Sequence, residues 1–462
     1  MTNELANIKY VYLLGVGGIG MSALARYFHA AGKKVAGYDK TITPLTQQLE
    51  SEGVFVHYED SIDNIPSYIQ NVSDKSEVLV ILTPAIPKEH QEWNYLVQNN
   101  FTIVKRSKVL GYLTEGQTTL AVAGTHGKTT TSTLLAHILH SAGKNTSAFL
   151  GGISSNFKSN LLVGRPQETG HQIVVEADEF DRSFLQLFPD VAIITSMDPD
   201  HLDIYGNHAE MLHNYRLFAA QVKESGILIY KKGLSVGEVK AKTATYSIED
   251  DSADYVGLNI RVENGFYHFD FKSKSHHLEN LVLGLPGRHN VENAVAASAV
   301  ALQRGVSEEA LRNALKSFQG AQRRFDVQVR KDSCVYIDDY AHHPAELKAA
   351  ILSAKELFPN KKITGVFQPH LFTRTRDFAE GFAQSLSLLD SLIMLDIYPA
   401  RELPLPGITA NTILDKVTIH DKILVEKSAL LNEIKSQNPE VLITLGAGDI
   451  DQFVEPIKHL LN

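Results

Sequence analysis

Residues 118–131, TTLAVAGTHGKTTT, constrain the fold of this chain more than any other segment. The apolar run TTLAVAG predicts a buried strand, and STLLAHILHSAG after the loop predicts a helix. Amides of a glycine loop at a helix N-terminus bind phosphates, a lysine adds positive charge, and a threonine hydroxyl holds Mg²⁺. Val122 stands where the strict G-x-x-x-x-G-K-[ST] pattern has its first glycine. We nevertheless predict a nucleotide-binding loop rather than an ordinary strand-to-helix turn, formed by Gly124, Thr125, His126, Gly127, Lys128, Thr129 and Thr130.

Short apolar runs rich in valine and isoleucine recur along the chain and alternate with helical patterns. Runs that are apolar on both faces suit parallel strands covered by helices, so this alternation predicts an α/β architecture. Three blocks are indicated, residues 1–115, 116–322 and 323–462, and only the first two open with a glycine-rich turn. Region 231–285 is richer in charged and β-prone residues, which predicts antiparallel strands inserted in the middle block. The apolar runs lie at residues 10–17, 34–39, 77–86, 118–124, 172–178, 191–197, 334–340, 362–370, 391–399 and 440–449.

Composition and charge narrow the class of protein. The chain has 462 residues, a hydrophobic fraction of 44% and a formal net charge of -9, so neither nucleic acid nor an anionic membrane is an expected partner. The single cysteine, Cys334, cannot form an internal disulfide, which fits a reducing compartment. We find no signal peptide and no apolar stretch long enough to span a bilayer. These features predict a cytoplasmic enzyme.

A second glycine-rich turn, GVGGIG at residues 15–20, lies between a predicted strand and a predicted helix. It fits the G-x-G-x-x-G pattern, in which glycines let backbone amides approach a pyrophosphate closely. Asp39 ends the next predicted strand, where a ribose-binding acid belongs in a dinucleotide fold. The loop itself does not distinguish NAD from another diphosphate such as UDP, and a purely structural turn is the remaining alternative.

Acidic residues and a histidine follow two predicted strands of the middle block. Glu176, Asp178, Glu179 and Asp181 come after the apolar run QIVV, and His201 follows the run VAIITSM. Carboxylates at a strand end beside a phosphate loop are suitable ligands for Mg²⁺. A solvated acidic loop and a structural histidine are the alternatives.

Seven motifs occur in an order that resembles the Mur ligase family. They are GTHGKTTT (124–131), EADEFDRSF (176–184), DPDHLD (198–203), GRHNVENAVAA (287–297), RRFD (323–326), DDYAHHP (338–344) and QPHLFTRTRD (368–377). With GVGGIGMSALA (15–25), the resemblance spans essentially the whole chain. It is strongest to the branch that attaches the first amino acid, L-alanine, to UDP-N-acetylmuramic acid in peptidoglycan synthesis. The branch that recycles a tripeptide onto the same acceptor is similar in GTHGKTTT and DDYAHHP but matches residues 368–377 less well.

The resemblance implies three domains: a Rossmann-like UDP-sugar-binding domain (1–115), a central P-loop ATPase-type domain (116–322), and a Rossmann-like closing domain (323–462). The resemblance also implies that the ligand of the first glycine loop is UDP rather than NAD. The implied UDP-sugar residues are Gly15, Gly17, Gly18, Ile19, Gly20, Asp39, Thr83, Ala85 and Ile86.

The resemblance further implies roles for ATP, Mg²⁺ and the amine substrate. His289 and Asn293 match adenine-side positions; without the family, that segment is equally consistent with a histidine and amides capping a helix. The other implied residues are Arg324 and Asp339 for ATP; Thr129, Glu176 and His201 for metal; Tyr340, His342, Arg374 and Arg376 for the amino acid; and Lys128, Arg324 and His342 for catalysis. A surface ion-pair cluster is the alternative for Arg374 and Arg376.

One departure from the family pattern concerns the second metal. Several sister ligases carry a carbamylated lysine after the metal histidine, whereas residues 204–222 contain no lysine and include Arg216. What replaces that lysine stays open, as does the base that accepts the amine proton. We expect a monomer or a homodimer. An NAD-dependent oxidoreductase and a nucleotide-dependent switch are competing functions, but the first leaves GTHGKTTT unexplained.

Overall fold

A computed structural model describes residues 5, 7–200, 202–400 and 402–462. The chain forms two compact units. The first extends to Val256 and also includes Ser273–Ser275 and Asn293–Ala314; the second comprises Gly257–Lys272, His276–Glu292 and Leu315–Asn462. None of the helices built from the described residues has the length and apolar character needed to cross a bilayer.

The first unit begins with a parallel sheet in the strand order β3-β2-β1-β4-β5. Its central strands are buried on both faces because residues such as Leu13 and Tyr12 face two separate apolar clusters. The strands are β1 (Tyr10–Leu14), β2 (Lys34–Tyr38), β3 (Phe55–His57), β4 (Val78–Leu82) and β5 (Thr102–Lys105), and the helices are α1 (Ile19–Ala30), α2 (Pro44–Ser51), α3 (Ser67–Gln70), α4 (Gln91–Gln98) and α5 (Arg106–Thr114).

A second sheet of the first unit has the order β12-β11-β10-β6-β9-β7-β8. Its pairings are parallel except for the β7–β8 pair. The strands are β6 (Thr118–Ala123), β7 (Thr146–Ser154), β8 (Ser159–Leu162), β9 (Gln172–Glu176), β10 (Val191–Ile194), β11 (Ile227–Lys231) and β12 (Lys242–Ser247), and the helices are α6 (Lys128–Ser141), α7 (Leu202–Tyr205) and α8 (His208–Ala220).

Region 231–285 corrects part of the sequence prediction. The strand β12 pairs in parallel with β11, and the first residues of β13 (Tyr255–Glu263) pair in parallel with β12. The predicted antiparallel pairing occurs between β14 (Phe266–Ser273) and β15 (His277–Leu283). Local composition identified these segments as strands, but the direction of pairing depends on distant partners that composition does not encode.

The second unit contains a sheet in the order β16-β17-β21-β18-β19-β20, parallel except for the β16–β17 pair. Helices α9 (Arg288–Gln303) and α10 (Glu308–Ser317) precede this sheet along the chain, and their residues from Asn293 to Ala314 belong to the first unit. The remaining elements are β16 (Asp326–Arg330), β17 (Val335–Asp339), α11 (Pro344–Leu357), β18 (Ile363–Phe367), α12 (Phe372–Leu386), β19 (Ser391–Met394), α13 (Asn411–Leu414), β20 (Lys422–Leu424), α14 (Leu430–Gln437), β21 (Val441–Leu445) and α15 (Val454–Leu461). The α/β prediction is thus confirmed in each of three sheets.

Candidate functional site

The first glycine loop joins β1 to α1, and a neighbouring acid holds it. The Gly17 amide donates to Asp39 Oδ2 at 2.8 Å, and Gly15 has a φ of +88°. A Cβ on Gly17 would lie 2.7 Å from Thr46 Cγ2, while one on Gly15 would collide with Thr83. The structure therefore brings Asp39 and Thr83, both predicted for the UDP-sugar site, against the loop.

The other predicted residues of this site lie along the same edge. Gly18 is the N-cap of α1, and Ile19 and Gly20 form its first turn. Ile86 packs beside Gly15, since its Cδ1 lies 3.7 Å from the position of a Gly15 Cβ. Ala85 is exposed in the turn that follows β4. This exposed turn could contact a ligand without moving the sheet.

The second glycine loop joins β6 to α6 and is held by the end of β10. The His126 amide donates to Ser196 Oγ at 2.8 Å, and the hydroxyls of Thr125 and Ser196 lie 2.9 Å apart. The Thr195 hydroxyl donates to the His126 carbonyl. His126 Nε2 also lies 3.6 Å from Asp198 Oδ2. These contacts fix the backbone of a loop whose amides are the expected phosphate donors.

Two glycines of this loop have left-handed φ values that other residues rarely adopt. Gly124 has a φ of +134°, and a Cβ there would collide with the Thr195 hydroxyl. Gly127, the N-cap of α6, has a φ of +80°, and its Cβ would lie 2.6 Å from Asn293 Oδ1. The predicted adenine-side residue Asn293 is therefore in contact with the phosphate loop.

Lys128 is largely buried, with a side chain 13% exposed, and it pairs with Glu179, one of the acidic residues predicted near the metal. Its Nζ donates to Glu179 Oε1 at 2.9 Å and to the Gly124 carbonyl at 2.6 Å. Burial alone would lower the pKa of Lys128, but the charges of Glu179, Asp178 and Glu176 outweigh it and raise the pKa. The lysine is thus a fixed positive charge at the N-terminus of α6, where Thr130 is also buried.

Thr129 and Glu176 meet at the point predicted for Mg²⁺. Thr129 Oγ1 donates to Glu176 Oε1 at 3.1 Å, and the Gly151 amide donates to Glu176 Oε2 at 3.0 Å. A Cβ on Gly151 would collide with this carboxylate, so the glycine makes room for it. One hydroxyl and one carboxylate are oxygen donors of the kind that Mg²⁺ prefers, and these two residues fit such a site.

The third predicted metal ligand, His201, lies outside the described residues. Within the described part of the chain, no three histidine, cysteine or carboxylate side chains are grouped closely enough to hold a metal ion. Arg216, which lies in α8, packs against Gly237, and its Nε donates to the Ser235 carbonyl at 3.4 Å.

In the second unit, Asp339 stabilises the turn that carries Arg324. Its carboxylate accepts from the Phe325 amide at 2.8 Å and from the Ala341 amide at 2.7 Å. Arg323 and Phe325, on either side of Arg324, have left-handed φ values of 60° and 51°. Burial raises the pKa of Asp339 to about 7, although Arg324 and the two amides lower it. The strained turn is thus tied to the carboxyl end of β17.

Glu346 connects Arg324 to His342. Its Oε1 lies 3.9 Å from Arg324 Nη1, and its Oε2 accepts from the His342 amide at 3.0 Å. The Arg324 guanidinium lies over the Tyr340 ring at 5.0 Å, and His342 Nδ1 lies 3.0 Å from the Tyr340 carbonyl. Three residues predicted for ATP or the amino acid are therefore gathered around a glutamate that sequence analysis missed.

His289 also belongs to this environment. Burial lowers its pKa to about 4, while Glu346 raises it and Arg324 lowers it. The imidazole is consequently neutral near pH 7. A neutral ring suits the predicted adenine-side role better than a phosphate contact.

The two predicted amino-acid arginines lie in different environments. Arg374 is only 7% exposed, and its Nη1 lies 3.4 Å from His370 Nδ1. The His370 ring is 6.2 Å from that of His342. By contrast, the side chain of Arg376 is 54% exposed and its Nε donates to Asp377 at 2.6 Å. The structure brings Arg374, but not Arg376, into the cluster around His342.

Family models match the chain in three consecutive parts. "Mur ligase family, catalytic domain" matches residues 10–118, "Mur ligase middle domain" matches 122–301, and "Mur ligase, glutamate ligase domain" matches 323–448. The UDP-N-acetylmuramate–L-alanine ligase of Christiangramia forsetii is 50% identical over 458 residues, 99% of each chain. That of Flavobacterium psychrophilum is 49% identical over 461 residues, again 99% of each chain.

The chain belongs to the Mur ligase family.

Solved structures agree with the architecture of this Mur ligase. A UDP-N-acetylmuramate-alanine ligase from Thermotoga maritima has a TM-score of 0.82 at 26% identity, covering 97% of this chain and 98% of the other. A murein peptide ligase from Psychrobacter arcticus has a TM-score of 0.70 at 22% identity and covers 98% of each chain. The predicted three-domain α/β fold of a Mur ligase is therefore confirmed.

Two residues that hold the predicted site of this Mur ligase, Glu346 and Ser196, were not predicted from the sequence. Glu346 lies in the first turn of α11, which begins with the His343 cap and Pro344. That helix-start signature places a residue four positions after His342 close to it, so a signal was present. Ser196 gave no comparable signal, since its contact with the loop spans 70 residues.

Proposed function

We propose that this chain joins L-alanine to the lactyl carboxylate of UDP-N-acetylmuramic acid at the expense of ATP, a step of peptidoglycan synthesis. The observation that carries the proposal is the identity of 50% across 99% of both chains with a protein named UDP-N-acetylmuramate–L-alanine ligase. The convergence of Lys128, Thr129 and Glu176 on the second glycine loop supports the dependence on ATP. Because ATP is supplied there, we place the reaction in the cytoplasm.

We assign a task to each of the three proposed domains, residues 1–115, 116–322 and 323–462. The first glycine loop, with Asp39, Thr83, Ala85 and Ile86, binds the UDP-sugar. The second loop, with Asn293, binds ATP. Arg324 and Asp339 are assigned to the phosphates of ATP, and His289 is assigned to its adenine. Tyr340, His342 and Arg374 form the amino-acid site.

The first chemical step activates a carboxylate, which is a poor acyl donor. A lactyl carboxylate oxygen attacks the γ-phosphorus of ATP, the bond from that phosphorus to the β,γ-bridging oxygen breaks, and ADP leaves. The product is an acyl phosphate. Negative charge spreads over the phosphoryl oxygens in the transition state, and Lys128 and Arg324 stabilise that charge.

Thr129 and Glu176 would hold Mg²⁺, with His201 as a further ligand for a second ion. Mg²⁺ supplies positive charge that neutralises the phosphate oxygens. The chain itself fixes the two oxygen donors, because Gly151 and Thr129 both donate to the Glu176 carboxylate.

The second step forms the amide. The neutral α-amine attacks the acyl carbon, a tetrahedral intermediate collapses, and inorganic phosphate leaves. The α-carboxylate pairs with Arg374, whose guanidinium fork matches a carboxylate. His342 is our candidate for the base: its Nδ1 lies 3.0 Å from the Tyr340 carbonyl, a geometry in which Nδ1 donates and Nε2 is the proton acceptor.

The test measures phosphate release from ATP and Mg²⁺ with UDP-N-acetylmuramic acid and one amine at a time. The amines are L-alanine, glycine, L-serine and an L-Ala-γ-D-Glu-diamino-acid tripeptide. We expect release with L-alanine and a product heavier by one alanyl residue. Release with the tripeptide alone would establish the recycling reaction instead. Absence of release with every amine would contradict ligase activity altogether.

A further inference from the structure

The residues predicted for the UDP-sugar site include no positive charge. The one charged member is Asp39, and its carboxylate already accepts the Gly17 amide. A diphosphate that approaches this loop therefore meets a negative side chain and has one fewer amide to bind. A cation near the loop would offset this repulsion and bind the diphosphate through charged hydrogen bonds.

Arg106 is a cation in the required place. It is the first residue of α5, directly after β5, and β5 lies in the same parallel sheet as β1. The carboxyl ends of parallel strands share one edge of the sheet, so the start of α5 and the first glycine loop are close together. Arg106 Nη1 lies 2.5 Å, and its Cδ 3.1 Å, from the position of a Cβ on Gly20. The guanidinium thus packs on the first turn of α1.

The ion-pair partner of Arg106 is a carboxylate that a ligand can replace. Arg106 Nη2 lies 3.5 Å from Asp178 Oδ2, and the two side chains are 23% and 37% exposed. Asp178 also accepts the Phe180 amide at 3.1 Å, so it keeps a partner if the arginine moves. A partly exposed pair of this length contributes little free energy, and a phosphate bearing more charge competes well for the guanidinium.

We propose that Arg106 binds the diphosphate of the nucleotide sugar, and that Asp178 holds the Arg106 guanidinium beside the first glycine loop until the substrate replaces it. The inference rests on the proposed function, because it takes the UDP-sugar as the ligand of that loop. It adds a substrate-binding cation to the site and an exchange of ion-pair partners to the binding step.

The chain offers a matched control one residue away. Lys105 is also a cation paired with an acid of the same segment, with its Nζ 3.2 Å from Asp181 Oδ2, but its side chain is 64% exposed. Replacement of Lys105 removes the same charge without removing the group that packs on Gly20.

The first experiment is calorimetric titration of UDP-N-acetylmuramic acid without ATP or Mg²⁺. We expect Arg106→Ala to weaken binding by about 10- to 100-fold, the range for loss of a charged hydrogen bond. Arg106→Lys should recover part of the affinity, and Lys105→Ala should change it by less than about twofold. Unchanged affinity of an ATP analogue for Arg106→Ala would show that the variant is folded. Equal weakening by Lys105→Ala would overturn the assignment, since it would indicate a diffuse charge effect.

The second experiment identifies the group that Arg106 binds and the role of Asp178. UDP-N-acetylglucosamine lacks the lactyl carboxylate, so Arg106→Ala should weaken its binding by a similar factor; weakening confined to the muramic acid would overturn the diphosphate assignment. Asp178→Asn should tighten binding by about two- to fivefold, and the tightening should vanish in the Arg106→Ala background. Wild-type protein that binds neither sugar nucleotide would contradict the proposed function, whereas wild-type binding matched by Arg106→Ala would contradict only this inference.

Discussion

At the residue scale, Lys128 is largely shielded from solvent and pairs closely with one carboxylate. The fully buried Glu179 pairs with it at 2.8 Å, so the lysine charge is positioned before any phosphate arrives. We expect Lys128→Ala to lower kcat by at least about 100-fold, because a preorganised charge on the transferred phosphoryl group is lost. Affinity for UDP-N-acetylmuramic acid should stay within about twofold, since that ligand is assigned to the other loop.

Lys128→Ala has two effects: it removes a positive charge, and it leaves the Glu179 carboxylate without its partner. A control variant distinguishes the consequences of these two effects for activity. Removing one member of a buried pair is itself destabilising. The double variant Lys128→Ala/Glu179→Gln removes both charges, so activity should remain as low as in the single variant. Recovery of turnover in the double variant would mean that Lys128 serves only to neutralise Glu179.

Arg374 and Arg376 provide a second comparison at this scale. Positions two apart on a helix point in different directions, and only Arg374 faces His370. We expect Arg374→Ala to raise KM for L-alanine by about 10- to 100-fold, as expected for loss of a charged hydrogen bond to the carboxylate. Arg376→Ala, which removes an exposed arginine bonded to Asp377, should change KM by less than about threefold. Steady-state kinetics at saturating ATP checks both, and the reverse order of effects would assign the carboxylate to Arg376.

At the element scale, Gly17 and Gly18 of the first glycine loop differ in the space available for a side chain. A Cβ on Gly17 would lie 2.8 Å from the Asp39 carboxylate, whereas one on Gly18 would have its nearest neighbour at 3.6 Å. We expect Gly17→Ala to lower the free energy of unfolding by about 1–3 kcal/mol through overpacking. Gly18→Ala should cost less than about 1 kcal/mol, the effect of changing an N-cap. Urea unfolding monitored by the fluorescence of Trp93, the one tryptophan, provides the measurement. Equal losses of unfolding free energy in the two variants would show that neighbouring side chains move to accommodate a Cβ at Gly17.

The same elements show what the sequence predicts and what it does not. The strands β1, β6, β9 and β10 were predictable because runs that are apolar on both faces are a local signal. The loop after β1 was predictable from its closely spaced glycines, and the loop after β6 from its adjacent glycine and lysine. The parallel pairing of β12 with β11 was not, since neighbouring segments pair in parallel only when the chain crosses over between them.

At the scale of the whole molecule, the candidate site was predictable only where its residues are close in sequence. The loop residues Gly124–Thr130 form one segment, and their motif is visible as a string. The contacts of Asn293 with Gly127 and of Ser196 with His126 join distant segments. Such pairs follow from tertiary packing, so only the family resemblance pointed to Asn293, and nothing pointed to Ser196.

Each compact unit also contains a buried carboxyl group with a pKa of about 7: Glu92 in the first unit and Asp339 in the second. Burial raises the pKa of Glu92, while the Tyr12 hydroxyl and the Ser61 amide, which donate to it, lower the pKa. In the unfolded chain a glutamate titrates near 4.5. Between these values the folded state binds more protons than the unfolded state, so this group makes the protein less stable as pH rises from 5 to 8.

A Glu92→Gln variant isolates the effect, because buried histidines such as His57 have lowered pKa values and act in the opposite direction below pH 6.5. We expect the stability of the wild type relative to Glu92→Gln to fall by about 2.5 kcal/mol between pH 5 and pH 8, which is most of the free energy set by the pKa difference. Trp93 follows Glu92 in α4, so its fluorescence reports the unit that contains the substitution. Asp339→Asn alters the other unit. The pH dependence of its unfolding free energy, monitored by Trp93, should therefore be close to that of the wild type. A wild-type stability that rises relative to Glu92→Gln would mean that Glu92 is ionised in the folded protein at pH 5, with the adjacent His57 carrying the balancing proton.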